Sequence, residues 1–110
     1  MTDEIKKYLL DILNSIKAIN EYLAGKKSFK AYKQNRVVKR AVERELEIIG
    51  EAMNNVLKIE TKIEIVDARQ IVNLRNQIIH AYDSVDDNMI WSIVINHLPN
   101  LKKEVEKLLE

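Results

Sequence analysis

Leu74-Arg75-Asn76-Gln77-Ile78-Ile79-His80-Ala81-Tyr82 sets an arginine among isoleucines, a histidine five residues later and a tyrosine two beyond that. Helical packing alone does not ask for such a set. Each residue of an α-helix turns by about 100°. On that count Ile71, Val72, Ile78, Ile79 and Tyr82 share one side of a helix, with Arg75 near its middle. His80 falls about 140° from Arg75, on a polar strip with Arg69, Asn73 and Asn76. The two therefore do not converge within one ideal helix. They can meet if the helix ends near His80, or if two copies bring their helices together about a twofold axis.

Outward from this stretch the chain reads as helix throughout. The stretch belongs to a helix over Ala68–Ala81, with Asp67 as its cap and Gln70 completing a capping box. Upstream, Ile5, Leu9, Ile12, Ile16, Ile19 and Leu23 form one apolar stripe from Thr2 or Asp3 to Ala24, and Gly25 suits the left-handed residue after a helix. Ser28 can cap a second helix that continues, with room for a kink, to about Leu57. Its apolar arc holds Val38, Ala41, Val42, Ile48, Ile49, Ala52, Met53 and Val56. Gly50 inside it marks either a close helix–helix or subunit contact or a tolerated glycine. Residues 58–66 form a connection. A last helix starts near Asp86 or Asp87, buries Ile90, Val94, Leu98, Leu101, Val105 and Leu108, and is expected to kink or break near His97–Pro99, because proline removes a backbone donor. The expected architecture is a single all-α domain over 1–110, an antiparallel bundle of four main helices, or five if the last one breaks.

Composition narrows the function classes. Two glycines, one proline and 32% charged residues fit long amphipathic helices in a globular protein. There is no cysteine, so disulfides, thiolate nucleophiles and Cys-ligated zinc are excluded. No apolar run reaches the length of a membrane span, and the acidic start of the chain lacks a signal core; the expected location is cytoplasmic. Charge is uneven. Between Lys26 and Arg44 eight basic residues face one acid, Glu43, whereas the rest of the chain has ten basic residues and sixteen acids. Lys33, Arg36, Arg40 and Arg44 follow at steps of three, four and four, and such a strip can hold a polyanion or simply be a solvated face.

Arg75 in an apolar stripe needs a partner, because an unpaired buried charge is costly. Glu45 has the same difficulty in the arc of the second helix, so a Glu45–Arg75 ion pair, within one chain or across two, is the simplest expectation, with Glu51 as the other candidate. Asp83, Asp86 and Asp87 near His80 are better read as capping residues than as metal ligands. His97 reads as a core or boundary histidine. Ser15, Ser84 and Ser92 belong to no nucleophile constellation, and there is no glycine-rich phosphate loop.

Arg75-Asn76-x-x-x-His80-x-Tyr82 resembles the Arg-x4-His-x-Tyr motif of the HEPN superfamily, and its HepT-like branch most closely. Arg40-Ala-Val-Glu-Arg-Glu-Leu-Glu-Ile-Ile-Gly-Glu-Ala52 looks like the second-helix segment of that branch, and Ile90-Trp91 with Leu98-Pro99-x-Leu101 like its last helix. Ala68 stands where relatives often carry tryptophan, so packing there can differ. The resemblance implies a helical bundle that dimerises through the motif helix, and a ribonuclease toxin paired with a minimal nucleotidyltransferase antitoxin. It also implies RNA cleavage without a metal or cofactor, with Arg75 and His80 catalytic and Asn76 assisting. Tyr82 would be the residue the antitoxin modifies with AMP, ATP being the antitoxin's co-substrate, and Lys33, Arg36, Arg40 and Arg44 could track RNA beside the cleft. At this level a non-catalytic RNA- or nucleotide-binding module and a structural partner of the nucleotidyltransferase stay open.

Overall fold

The computed structural model describes residues 1–25 and 27–110; Lys26, counted above in the basic window, lies outside the described residues. The first helix, α1 (Asp3–Leu23), starts on Thr2, whose hydroxyl accepts the Ile5 N–H at 3.1 Å. It ends on two successive left-handed residues, Ala24 (φ 50°) and Gly25 (φ 74°). The glycine adopts this conformation freely, while the alanine carries a steric cost.

The expected second helix is two. Ser28 caps α2 (Phe29–Gln34) through Ala31 N–H, as its sequence position suggests. Asn35 is extended, closes α2, and caps α3 (Arg36–Ile59) by accepting the Val38 N–H at 3.0 Å. An asparagine side chain that satisfies an orphan N–H competes well with continued helix. The break frees α2 to turn its aromatic face: Phe29 and the buried Tyr32 pack tilted against Trp91 at 6.0 and 5.2 Å between ring centroids.

After a loop comes α4 (Ala68–His80), then a tight turn over Tyr82–Ser84 and α5 (Asp87–Ser92), which Asp86 caps by accepting the Met89 N–H at 2.8 Å. Asp67 precedes α4 as expected, but its backbone is not extended and its side chain makes no capping bond, so the capping box does not form. Its carboxylate instead faces His97 Nδ1 at 3.5 Å, and His97 is exposed rather than part of the core. The last helix breaks where proline demands it. Ile93–His97 forms one wide turn in which the Leu98 N–H reaches back five residues to the Ile93 carbonyl, and α6 (Leu98–Leu109) follows with Pro99 in its first turn. Widening the turn accommodates the missing N–H and the ring.

Among the described residues there is no strand, and no helix is long and apolar enough to cross a membrane. The core is a continuous apolar cluster centred on α1 and α3: Leu9, Ile12, Ile16, Ile19, Val42, Ile49, Met53 and Val56 are almost fully buried, joined by Ile90 and Val105. α3 lies between α1 and α4, and α6 closes the other side of α1. The pairing of Gly50 with Arg75 and of Glu43 with Tyr82 shows that α3 and α4 run antiparallel. This is the expected all-α bundle, with more breaks than anticipated.

Gly50 is a close-contact glycine. A Cβ placed on it would overlap Arg75 Cβ and lie 2.9 Å from Arg75 Cγ and 3.1 Å from the Ile71 carbonyl oxygen. These are atoms at or near the α4 backbone and cannot swing aside. Alanine gains about 1 kcal/mol in helix propensity, but overpacking costs ~1–3 kcal/mol. Gly50→Ala is expected to lower the unfolding free energy by roughly 1–2 kcal/mol in urea denaturation; an unchanged or raised midpoint would show that α4 can shift freely.

Candidate active site

α4 carries the motif, and its packing decides what each residue presents. Ala68, Val72 and Ile78 are buried and lock one face of the helix on the core. Arg75 sits where that face meets α3, its aliphatic stem laid over Gly50. The guanidinium is half-buried: Nη1 donates to Asn76 Oδ1 at 2.8 Å, and Nε is buried with no hydrogen-bond partner among the described residues. Arg75 and Asn76 are thus coupled directly, as neighbouring side chains at the motif's start. His80 is the last residue of the helix and is exposed. No hydrogen bond or ion pair among the described residues joins it to Arg75. The apolar side of α4 is incompletely covered: Ile79 is 43% exposed and Tyr82 44%.

The expected Glu45–Arg75 ion pair does not form within the chain. Glu45 accepts the Tyr22 hydroxyl at 2.8 Å, toward α1. Helix geometry explains why. Five residues separate Glu45 from Gly50, the point on α3 that touches Arg75, which places them about 140° apart. Glu51 is exposed. The acid on the α4 side of α3 is Glu43, seven residues and therefore about two turns before Gly50, and only 8% exposed. Its Oε1 accepts the Tyr82 hydroxyl and Arg40 Nη1, each at 3.2 Å, while the Arg40 guanidinium lies 5.0 Å from the centre of the Tyr82 ring. In the sequence Glu43 stands out only as the lone acid of a basic window. The signal that marks it is the line Glu43, Leu46, Gly50, Met53 and Leu57, at helical spacing and buried throughout.

Tyr82 and Glu43 stand at the edge of a surface concavity of about 400 Å³, whose lining includes Lys33, Arg36, Lys39 and Arg40. Three of the four predicted strip residues therefore gather at one place, although the break at Asn35 puts Lys33 on α2 and the others on α3. Arg44 is not in this lining; it pairs with Glu47 at 3.0 Å. Lys39, outside the predicted strip, joins the group and pairs with Asp87 at 3.1 Å. Arg40 is committed to Glu43, which leaves Lys33 and Arg36 as the cations of this concavity without an acidic partner among the described residues. Asp86 is occupied as a cap, as expected, whereas Asp87, read as a further capping residue, pairs with Lys39. Burial, reinforced by the negative charge of Glu43 and Asp87, pushes the pKa of the buried Tyr32 phenol well up; it stays protonated.

Comparison with known proteins places the chain in a family. Residues 12–108 match the family model described as "Ribonuclease HepT-like". The chain is 37% identical over 106 residues, spanning 94% of each chain, to "Putative RNase MJ1380" of Methanocaldococcus jannaschii. It is 35% identical over 104 residues, again 94% of each chain, to "Probable ribonuclease HepT" of Thermococcus cleftensis. No solved structure gives a significant match. With the all-helical bundle and the motif helix in place, the chain belongs to the HepT-like ribonuclease family of HEPN proteins.

Proposed function

We propose that the chain is a metal-independent endoribonuclease toxin, that its active site is composed of Arg75 and His80 from two copies meeting at α4, and that a nucleotidyltransferase antitoxin silences it by attaching AMP to Tyr82. The observation that carries the composite site is the disposition of α4. Arg75 is held half-buried by Gly50 with Asn76 alongside, His80 projects from the helix end, and Ile79 and Tyr82 leave apolar surface uncovered between them. A second α4 packed on this surface would cover Ile79 and bring the histidine of one copy toward the arginine of the other.

The chemistry needs little more. RNA strand cleavage by its own 2′-hydroxyl requires a base for that hydroxyl, an acid for the departing 5′-oxygen and positive charge on the phosphorane. Histidine changes protonation near neutrality and serves in either proton transfer. Arginine stays charged and matches phosphate geometry. Asn76, bonded to Arg75 Nη1, fixes the guanidinium plane. The products are a 2′,3′-cyclic phosphate and a 5′-hydroxyl. Lys33 and Arg36, without an acidic partner among the described residues, offer positive charge to the flanking backbone. AMP on Tyr82 would set a phosphate and a base at the mouth of that concavity, where incoming RNA must pass.

Three outcomes are expected. In EDTA the purified protein cleaves RNA, and Arg75→Ala or His80→Ala slows it by ~10²-fold or more; equal persistence of RNA with wild type and His80→Ala would end this reading. Mixing the two inactive variants restores cleavage, because a mixed dimer keeps one intact site, whereas a site confined to one chain gives no recovery. Lys33→Glu with Arg36→Glu weakens RNA binding and flattens its salt dependence by roughly 0.7 in log–log slope for each phosphate no longer neutralised, read by fluorescence anisotropy from low to high salt.

A further inference from the structure

We propose that Glu43 is the base that takes the phenolic proton when Tyr82 is adenylylated, with Arg40 holding the pair in register. The inference rests on the reading that Tyr82 is the acceptor of AMP, and adds the group that activates it. Tyr82 hydroxyl donates directly to Glu43 Oε1 at 3.2 Å, and Glu43 is the hydrogen-bond partner this hydroxyl has among the described residues. The carboxylate is nearly buried, so its position is set by packing along the α3 line that also carries Gly50. Arg40 donates to the same oxygen at 3.2 Å and covers the ring of Tyr82, which fixes the phenol's orientation while leaving nearly half of the side chain open to a reagent from outside. Of the other acids that line the concavity, Asp86 accepts the Met89 N–H and Asp87 pairs with Lys39.

In the transfer, a lone pair of Tyr82 Oη forms the bond to the α-phosphorus of ATP. The bond from that phosphorus to the bridging oxygen breaks, and pyrophosphate leaves with its electron pair. The phenolic proton becomes strongly acidic as the new bond forms and passes to Glu43 Oε1, then to solvent. Lys33, Arg36 and Lys39 line the same concavity and face the phosphates with positive charge. Once esterified, Tyr82 can no longer donate to Glu43, and Arg40 is left between a carboxylate and a phosphodiester.

The test uses the whole chain with a purified minimal nucleotidyltransferase and magnesium ATP, following adenylate on intact protein by mass spectrometry. Glu43→Gln keeps an oxygen that can accept the Tyr82 hydrogen bond but cannot take its proton, so transfer is expected to slow by ~10²-fold or more with KM for ATP little changed. Glu43→Ala is expected to be slow as well and to recover on addition of formate, which a carboxylate with a merely structural role would not produce. If circular dichroism shows that these variants do not fold, Glu43→Asp carries the test, with transfer at least about tenfold slower. Tyr82→Phe tests the underlying reading. Adenylate absent from wild type, or undiminished in Tyr82→Phe, removes Tyr82 as acceptor and this inference with it. Adenylate lost in Tyr82→Phe but added at the wild-type rate in Glu43→Gln overturns the role of Glu43 alone.

Discussion

The contact between Gly50 and Arg75 is the constraint on which the site depends. A helix pair normally keeps its axes 8–10 Å apart according to the side chains between them. Here one side of the contact has no side chain, and the stem of an arginine fills the space. The arrangement solves a conflict in α4. The helix must bury Val72 and Ile78 against the core, yet it carries a guanidinium on nearly the same face. Resting the apolar stem of Arg75 on a glycine lets the methylene groups pack while the charged end emerges beside Asn76. A longer residue at position 50 would lift the arginine and the helix together.

The same line on α3 serves a second purpose. Two turns from Gly50 it presents Glu43, a nearly buried acid whose partners are a tyrosine from the turn after α4 and an arginine from its own helix. Burying a carboxylate is tolerable only when hydrogen bonds and opposite charge replace its water, and Tyr82 and Arg40 do both. The consequence is that the motif helix is tied to α3 at both ends, by a steric fit at Arg75 and a polar one at Tyr82. Between those ties Ile79 and His80 face outward, so the segment left free is the segment a second subunit or a substrate would meet.

Much of this was legible in the residues themselves. The apolar stripe of α1, the caps at Ser28 and Asp86, and the break before Pro99 follow from local rules, and the angular split between Arg75 and His80 is a property of helical spacing. The failures have a common origin. The division at Asn35, the idle capping box at Asp67 and the absence of a Glu45–Arg75 pair within the chain all turn on which neighbour a residue faces, and periodicity reports only that a face is apolar, not what covers it. α3 has two covered flanks, one toward α1 and one toward α4. Glu45 lies on the first and meets Tyr22; Glu43 lies on the second and meets Tyr82. Periodicity that treats the apolar arc as one surface cannot tell these acids apart.

Under the proposed function, that distinction bears on how a single helix would serve both cleavage and its control. Tyr82 follows His80 by two residues, in the turn that closes α4. Control could have been placed on an independent surface, but then it would need a conformational change to reach the site. In the proposed reading the control point and the motif share α4 and the turn that closes it, and the cations that gather around Tyr82 are suited to the phosphate of an RNA backbone or of a nucleotide alike. Competition for one basic concavity requires no movement of the bundle. It requires only that Tyr82 remain accessible while its hydroxyl is held, and the pairing with Glu43 and Arg40 on a side chain 44% exposed meets both conditions.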